Sequence, residues 1–230
     1  CFIDATGDAV LAELCGAACR EAGRDTAEIM PPTLCGTVVN VDWERQRGAL
    51  ARHDELIAQG IQDGFFTQRD RHVPGLFRGV NNVGILNAGH LFNTNALNVE
   101  SLSHAYIQGR KLAAEYTAFY RRYMDGCHAA QLVGTAALLG VRESRRIVGE
   151  HELAFGHFQG RHHFPDQIGV YNKAVDIHVY NTSDEQWRRY CEEYRHRDRL
   201  DVGESYGLPY GILVPRGWQN LWVAGRCVSA

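Results

Sequence analysis

The sequence predicts a mixed α/β fold, with α+β character in its middle part, and three observations lead to this class. Short apolar, β-branched runs alternate along the 230 residues with segments of helical periodicity. A long amphipathic helix is predicted over residues 99–123, and glycines follow several of the strand patterns. Strands and helices mixed in this order favour an α/β or α+β architecture, on a chain long enough to bury a sizeable core.

Composition and charge exclude several classes of function. The formal charge of -3 gives no electrostatic reason to expect nucleic acid or an anionic membrane as a partner. There is no apolar run of membrane-spanning length, so no membrane span is predicted. Seven scattered cysteines without a CxxC pair argue against a disulfide framework and against zinc or iron–sulfur ligation. Reduced thiols predict a cytoplasmic protein.

The first hundred residues predict alternating short elements. A strand at residues 1–3 precedes a short helix that Asp8 is placed to cap, and Cys15 and Cys19 could share a helix face as buried residues or as a thiol pair. A polar loop over 23–32 ends in two prolines. A strand over 33–41, a helix over 43–59 and short strands and turns over 75–92 follow.

The second half predicts both helices and strands. Asn98 or Ser101 could cap the helix over 99–123, and a second helix is predicted over 129–139. Strands are expected at 141–149, 174–180, 212–214 and 221–225, with a helix near 184–195. Because the chain starts and stops within apolar strand patterns, we expect it to be an internal fragment of a longer protein.

Two terminal segments could approach a ligand. Asp4-Ala5-Thr6-Gly7-Asp8 lies where a strand becomes a helix, and Gly7 would let the backbone come near an anion at the helix start. Residues 220–230 form a second apolar strand that ends in Gly225 and small residues. Each segment alone is also compatible with an ordinary turn of an α/β protein.

Together the two segments resemble the flavin-contacting segments of flavoproteins with two dinucleotide-binding domains. Residues 139–150, Leu-Gly-Val-Arg-Glu-Ser-Arg-Arg-Ile-Val-Gly-Glu, closely resemble the GxRExRRIxGE signature of the FAD-dependent oxidoreductase family. That family includes flavoproteins similar to the heterodisulfide reductase flavin subunit. Residues 206–215 resemble its IPYRSLVP segment, although Gly211 stands where an arginine is common. The four segments keep the family's order along the chain.

The resemblance implies a partial Rossmann-like FAD-binding domain (residues 1–32 and 205–230) with an inserted substrate or cap domain (33–204). The implied cofactor is FAD. The implied contacts are Ala5, Thr6, Gly7, Asp8, Gly225, Arg226 and Cys227. The family's strand–GxGxxG–helix cradle for the pyrophosphate does not occur in this sequence. We therefore expect the chain alone to bind FAD poorly and to be inactive without the rest of its parent protein.

Arginines in the signature segment are candidates for catalysis. Arg145, and after it Arg142, could stabilise an anionic reduced flavin or hold a substrate carboxylate. The alternative interpretation is an ion-paired strand in which Glu143 and Glu150 neutralise the arginines.

Histidines are abundant in the second half, and one of them could act as an acid or base. His178 is the first choice because Asp176-Ile177-His178 resembles the family's DIH segment. The spacing of the histidines after residue 150 matches no familiar metal motif, so no metal is predicted. Residues 87–90 and 93–95 could line a substrate cleft, but side-chain bonds within turns are the stronger interpretation.

The leading hypothesis is a flavoenzyme that moves a hydride or electron pair between a small organic substrate and FAD. One alternative is an electron-transfer flavoprotein subunit that works with an iron–sulfur redox partner. Another is a binding module that keeps the fold and has lost flavin, and the weakest is a histidine-dependent metal hydrolase. A flavin absorbance spectrum and a zinc analysis would separate them.

Overall fold

The computed structural model describes residues 1–26, 28–195 and 199–230, which form two compact units. The first unit contains residues 1–30, 142–177 and 188–230, and the second contains 31–141 and 178–187. The division predicted at residues 32 and 204 separates a cofactor-binding part from a substrate-binding part. The two compact units do not test that division, and it stays a prediction.

The first unit consists of short strand pairs and short helices. Strand β1 (Phe2–Asp4) pairs in parallel with β10 (Leu221–Val223). Strand β2 (Cys19–Glu21) pairs antiparallel with β7 (Arg145–Ile147), and β8 (Gln167–Tyr171) pairs antiparallel with β9 (Tyr206–Pro209). The helices are α1 (Val10–Leu14) and α5 (Phe155–Gln159), with a π-helical turn at Tyr190–Tyr194 and a 3₁₀ turn at Tyr210–Leu213.

The second unit is a four-stranded antiparallel sheet with a long helix. The sheet order is β4 (Gly75–Arg78), β5 (Gly84–Asn87), β3 (Gly36–Val39) and β6 (Gln131–Thr135). The helices are α2 (Trp43–Ala49), α3 (His53–Gln62) and α4 (Val99–Tyr123), with a 3₁₀ turn at Leu50–Arg52. Helix α6 (Asp184–Arg189) starts in this unit, and its last two residues belong to the first.

Helix α4 supplies one wall of the second unit's core. Its buried positions recur at three- and four-residue steps and pack with the sheet residues around Leu34, Val38 and Leu86. Gly109 permits the close approach, because a methyl group there would lie 2.6 Å from the Leu34 side chain. The prediction of this helix is confirmed to the residue, and the Asn98 side chain caps it by accepting from the Ser101 amide.

The mixed class of fold is confirmed, and so are several of the predicted elements. The strand at the start of the chain, the strand within 33–41 and the strand at 221–223 are all present. The predicted helix over 43–59 is present as α2, the 3₁₀ turn and α3, which continues to Gln62. The short strands and turns over 75–92 are β4 and β5. The helix near 184–195 is present as α6 and the π turn that follows it. The loop over 23–32 lacks helix in its described part, and residue 27 lies outside the described residues.

Other predicted elements are wrong. Residues 129–139 do not form a helix, because Gln131–Thr135 pairs with β3 as β6. Residues 174–180 are irregular, and the strand lies earlier, at β8. Residues 212–214 end a 3₁₀ turn after β9, and only residues 145–147 of the predicted strand 141–149 are regular. For residues 131–135 and 145–147, strand partners distant in sequence, β3 and β2, decide the structure, and local composition is overridden.

Two predictions around α1 are wrong as well. Asp8 does not cap the helix, since the amide of Val10 donates to Thr6 Oγ1 (3.0 Å) and Ala9 is the capping residue. Cys15 and Cys19 do not share a helix face: α1 ends at Leu14, and Cys19 starts β2.

Candidate functional site

Two turns meet at one edge of the first unit. Strands β1 and β10 run in parallel, so their carboxyl ends lie side by side, and each continues into a turn. The first turn holds the predicted residues Ala5–Asp8, and the second holds Gly225–Cys227; we call the two together the paired turns. In α/β proteins, ligands bind outside the carboxyl ends of parallel strands. Residues from both ends of the sequence therefore lie where such a ligand would bind.

Asp4 holds the first turn in place by accepting hydrogen bonds from it and from helix α1. Its carboxylate is buried; Oδ1 accepts from the Thr6 amide (3.0 Å) and hydroxyl (2.7 Å), and Oδ2 from the Ala12 amide (2.9 Å). Burial by itself would raise the pKa of Asp4, but these hydrogen bonds outweigh it and the pKa lies below its ordinary value. The ionised form therefore holds the turn against the start of α1. Sequence reasoning treated Asp4 only as part of the motif and missed this role.

Two glycines give the paired turns their shape. Gly7 and Gly225 have φ values of +81° and +93°, a region that side chains rarely adopt. A methyl group at Gly7 would lie 2.8 Å from Arg226 Nη1, so the two turns touch there. A methyl group at Gly225 would meet nothing within 4 Å, so the backbone of this turn faces open space.

Charged side chains tie the two turns together. Arg226 Nη2 donates to Asp8 Oδ1 at 2.6 Å, and the same oxygen accepts from the Ser144 hydroxyl. Ala5, Thr6, Gly225 and Arg226 are exposed and can be reached by a ligand. Cys227 differs from its neighbours because its side chain is fully buried and burial raises the pKa of its thiol. Only its backbone could contact a cofactor.

The structure separates the predicted arginines. Arg145 is mostly buried, with Nε donating to Glu21 Oε1 at 3.1 Å and Glu13 Oε2 at 3.9 Å from Nη1. It therefore links β7 to β2 and α1 as an ion-paired residue. The proposed partners Glu143 and Glu150 instead accept from the backbone amides of Met30 and Gly217.

Arg142 lies at a different place in the first unit. Its Nη1 is 3.4 Å from Asp176 Oδ2. Asp176 lines a groove of about 1130 Å³ together with Phe158, Tyr171 and Lys173.

His178 lies in the second unit and is buried in a cluster that the sequence did not predict. Its Nδ1 is 2.7 Å from His90 Nε2, and His90 Nδ1 is 2.9 Å from Asp70 Oδ2. His72 stacks on His178 with ring centroids 4.5 Å apart. We call Asp70, His72, His90 and His178 the buried histidine cluster. Its members are up to 108 positions apart in sequence, so no local spacing could have found it.

The mixed strand and helix content defines an α/β protein. Its candidate ligand-binding edge is formed by the paired turns, which consist of backbone and small residues. A comparison with protein families identifies the family: the family model of FAD dependent oxidoreductases matches residues 1–230. The chain belongs to this FAD-dependent family. No curated protein and no solved structure matches it significantly. No helix of the described residues has the length and apolar character needed to cross a membrane.

The paired turns suit part of an FAD site. Open space beside Gly225 lets a long ligand pass close to the backbone, where a side chain would intrude. Arg226 offers a guanidinium at the same edge, although Asp8 neutralises part of its charge. Thr6 and the Gly225–Cys227 backbone could hold the ribityl or phosphate part, whereas the usual glycine-rich pyrophosphate cradle is missing from this sequence.

Proposed function

We propose that this protein is a flavoenzyme in which the paired turns hold FAD, and that it moves a hydride or electron pair between FAD and a small organic substrate. The observation that supports this most is the parallel pairing of β1 with β10. It brings Ala5–Asp8 and Gly225–Cys227, more than 200 positions apart, to one edge. Bound FAD supplies the redox chemistry, and the chain supplies position and electrostatics.

The pair β1 and β10 is proposed to be part of a Rossmann-like FAD-binding domain. In this proposal residues 1–32 and 205–230 belong to that domain, and residues 33–204 form the substrate or cap domain. Support comes from the parallel direction of the pair and from the turn that leads from β1 into α1. The other strand pairs of the first unit, β2 with β7 and β8 with β9, are antiparallel.

Arg142 is proposed as the residue that binds substrate. It lies beside the groove through its contact with Asp176, and an arginine can hold a substrate carboxylate with two parallel hydrogen bonds. Tyr171 and Phe158 add aromatic surface to the same groove, which suits a small organic acid.

Arg145 was the first choice from the sequence, and its ion pair with Glu21 now favours a positioning role. Substitution of Arg145 would act on the link between β7 and β2. A direct role of Arg145 beside the flavin stays a prediction, as does the acid–base role predicted for His178.

The experiment is an absorbance spectrum of the whole purified protein, followed by anaerobic reduction with a panel of small organic acids. We expect the two bands of an oxidised flavin and their bleaching by a substrate. Arg142→Ala should raise the substrate concentration for half-maximal reduction while leaving bound FAD unchanged. Arg78→Ala, an exposed arginine of β4, is the matched control.

Each alternative has its own outcome in this experiment. Absence of flavin after reconstitution with FAD would contradict the proposal and favour a binding module without cofactor. Flavin that no small substrate reduces, but that exchanges electrons with an iron–sulfur protein, would favour an electron-transfer subunit like the heterodisulfide reductase flavin subunit. Reduction kinetics unchanged in Arg142→Ala would remove Arg142 from the substrate site.

A further inference from the structure

The buried histidine cluster brings three imidazole rings to one point inside the second unit. One ring nitrogen each of His72, His90 and His178 lies within 4.8 Å of the other two. His90 and His178 are almost fully buried, whereas His72 is partly exposed. The three rings come from the segment before β4, from the segment after β5 and from the start of 178–187.

Asp70 fixes the orientation of one of these rings. An ionised carboxylate can only accept, so His90 Nδ1 carries the proton and donates to Asp70 Oδ2. The lone pair of His90 Nε2 then points into the cluster, towards His178. This carboxylate–histidine arrangement is the one that orients and strengthens a histidine for metal ligation.

The buried carboxylate of Asp70 would be stabilised by a positively charged partner. Its side chain is fully buried, and its oxygens accept from the His72 amide (3.0 Å), the His90 amide (3.2 Å) and the His90 ring. No lysine or arginine ion pair to Asp70 is found among the described residues. A buried charge is stabilised by a partner of opposite sign or by a metal ion. A cation between the three rings would lie one imidazole away from the carboxylate.

We infer that His72, His90 and His178 bind one divalent transition-metal ion, with zinc as the first choice, and that Asp70 supports His90 from outside the coordination shell. Imidazole nitrogens bind zinc at about 2.0–2.1 Å, so in a tetrahedral site two of them are about 3.4 Å apart. His90 Nε2 and His178 Nδ1 are 2.7 Å apart. A small outward movement of one ring makes room for the ion.

Among the described residues the group of candidate ligands consists of these three histidines, and three protein ligands with one open position are the pattern of a zinc site that keeps water or a substrate atom. Partial exposure of His72 provides the route by which the ion enters. The inference does not rest on the proposed flavin function, because it is argued from contacts among four residues of the second unit and is tested by metal binding. It also differs from the sequence prediction, which expected no metal.

The test is a calorimetric titration of the chelator-treated whole protein with zinc chloride, and a parallel titration with cobalt chloride followed by visible absorbance. We expect about one equivalent of each ion per chain, and the visible bands of tetrahedral cobalt. His72→Ala should abolish both signals, because it removes a ligand from the most accessible side. Asp70→Asn should weaken zinc binding by about 10- to 100-fold.

A second group of histidines provides the matched control. His151, His157 and His162 have ring centroids 5.4 and 5.6 Å apart. His162 is exposed, and His151 and His157 are partly buried, whereas His90 and His178 of the cluster are almost fully buried. His162→Ala should leave the zinc titration unchanged. Loss of binding in His162→Ala would show adventitious chelation at the surface and would overturn the inference. Undiminished binding in His72→Ala would overturn it too.

A measurement on the unmodified protein covers the case in which His72→Ala does not fold. A ligand that binds only the folded state raises its stability by linkage. Zinc should therefore raise the unfolding temperature of the unmodified protein, and magnesium, which prefers oxygen ligands, should not. No zinc-dependent increase, or an equal increase with magnesium, would contradict the metal site.

Discussion

The paired turns and the buried histidine cluster are two kinds of candidate site in one chain. The paired turns are largely exposed and built from backbone, glycines and short side chains, with Asp4 as their buried anchor. The buried histidine cluster is built from side chains, three of which are almost fully buried. The first kind depends on backbone conformation and tolerates changes of charge, whereas the second depends on charge and should tolerate almost none.

Neutralising one aspartate in each site should give the largest difference in stability between the two sites. Asp70→Asn removes a buried carboxylate that accepts three hydrogen bonds, and we expect it to lower the free energy of unfolding by about 3 kcal/mol. Asp8→Asn, at the partly exposed pair with Arg226, should cost about 1 kcal/mol or less. Urea denaturation of both variants measures this, and equal losses would show that the two sites do not differ in kind.

Asp4 should behave as a buried charge within the otherwise exposed site. Asp4→Asn is expected to cost about 2 kcal/mol at neutral pH, since it removes acceptors for Thr6 and Ala12. The folded pKa of Asp4 is depressed, so its stabilisation is complete above the ordinary value of 3.8 and is lost as pH falls through the lower folded value.

Unfolding curves recorded from neutral pH down to acid therefore test the role of Asp4. The unmodified protein should lose more stability than Asp4→Asn below pH 3.8. Parallel pH profiles of the two proteins would mean that Asp4 does not anchor the turn in its ionised form.

Two glycines with positive φ, one on either side of α1, allow the contact between the paired turns to be tested separately from backbone strain. Gly7→Ala and Gly16→Ala impose similar backbone strain, at φ +81° and +86°. Only at Gly7 does the new methyl group meet another side chain, that of Arg226, while at Gly16 it meets nothing within 4 Å. The Arg226 guanidinium must move aside and loosen its ion pair with Asp8, so Gly7→Ala should be less stable than Gly16→Ala by about 0.5–1 kcal/mol.

Thermal unfolding of the two glycine variants gives this difference directly. A similar loss in both variants would mean that the two turns are not in contact in solution.

The smallest expected effect concerns Arg226. Arg226→Gln breaks an exposed ion pair and should change the free energy of unfolding by about 0.5 kcal/mol. Its effect on FAD binding should be larger than its effect on stability, since the guanidinium is proposed to face the cofactor. Equilibrium dialysis against FAD and urea denaturation of the same variant measure the two effects. A larger change in the free energy of unfolding than in the free energy of FAD binding would make Arg226 a purely structural residue.

The sequence predicted those parts of the fold that carry their own signal. Helix α4 has a cap, a continuous apolar face and 25 residues, so its bounds follow from local physics. Residues 131–135 became a strand only because β3 lies beside them, and that partner is nearly a hundred positions away. Composition of the segment alone could not reveal the pairing.

The same distinction holds for the two sites. The terminal segments of the paired turns each carry a strand-to-glycine pattern, so both could be predicted, although their pairing could not. His178 was singled out by its resemblance to a family segment, but His90 and Asp70 as its partners could not have been foreseen. Contacts across 20 and 88 positions arise from tertiary packing, which no local spacing encodes.

Whether the paired turns hold FAD can be decided by the affinity of the whole protein for FAD in two variants, Gly225→Ala and Gly16→Ala. Both changes introduce a methyl group at positive φ where it meets no protein atom within 4 Å, so both should cost similar stability. Flavin fluorescence titration should show FAD affinity about tenfold weaker in Gly225→Ala, a loss of about 1.4 kcal/mol, and unchanged in Gly16→Ala. Equal affinity in the two variants would contradict the proposed site.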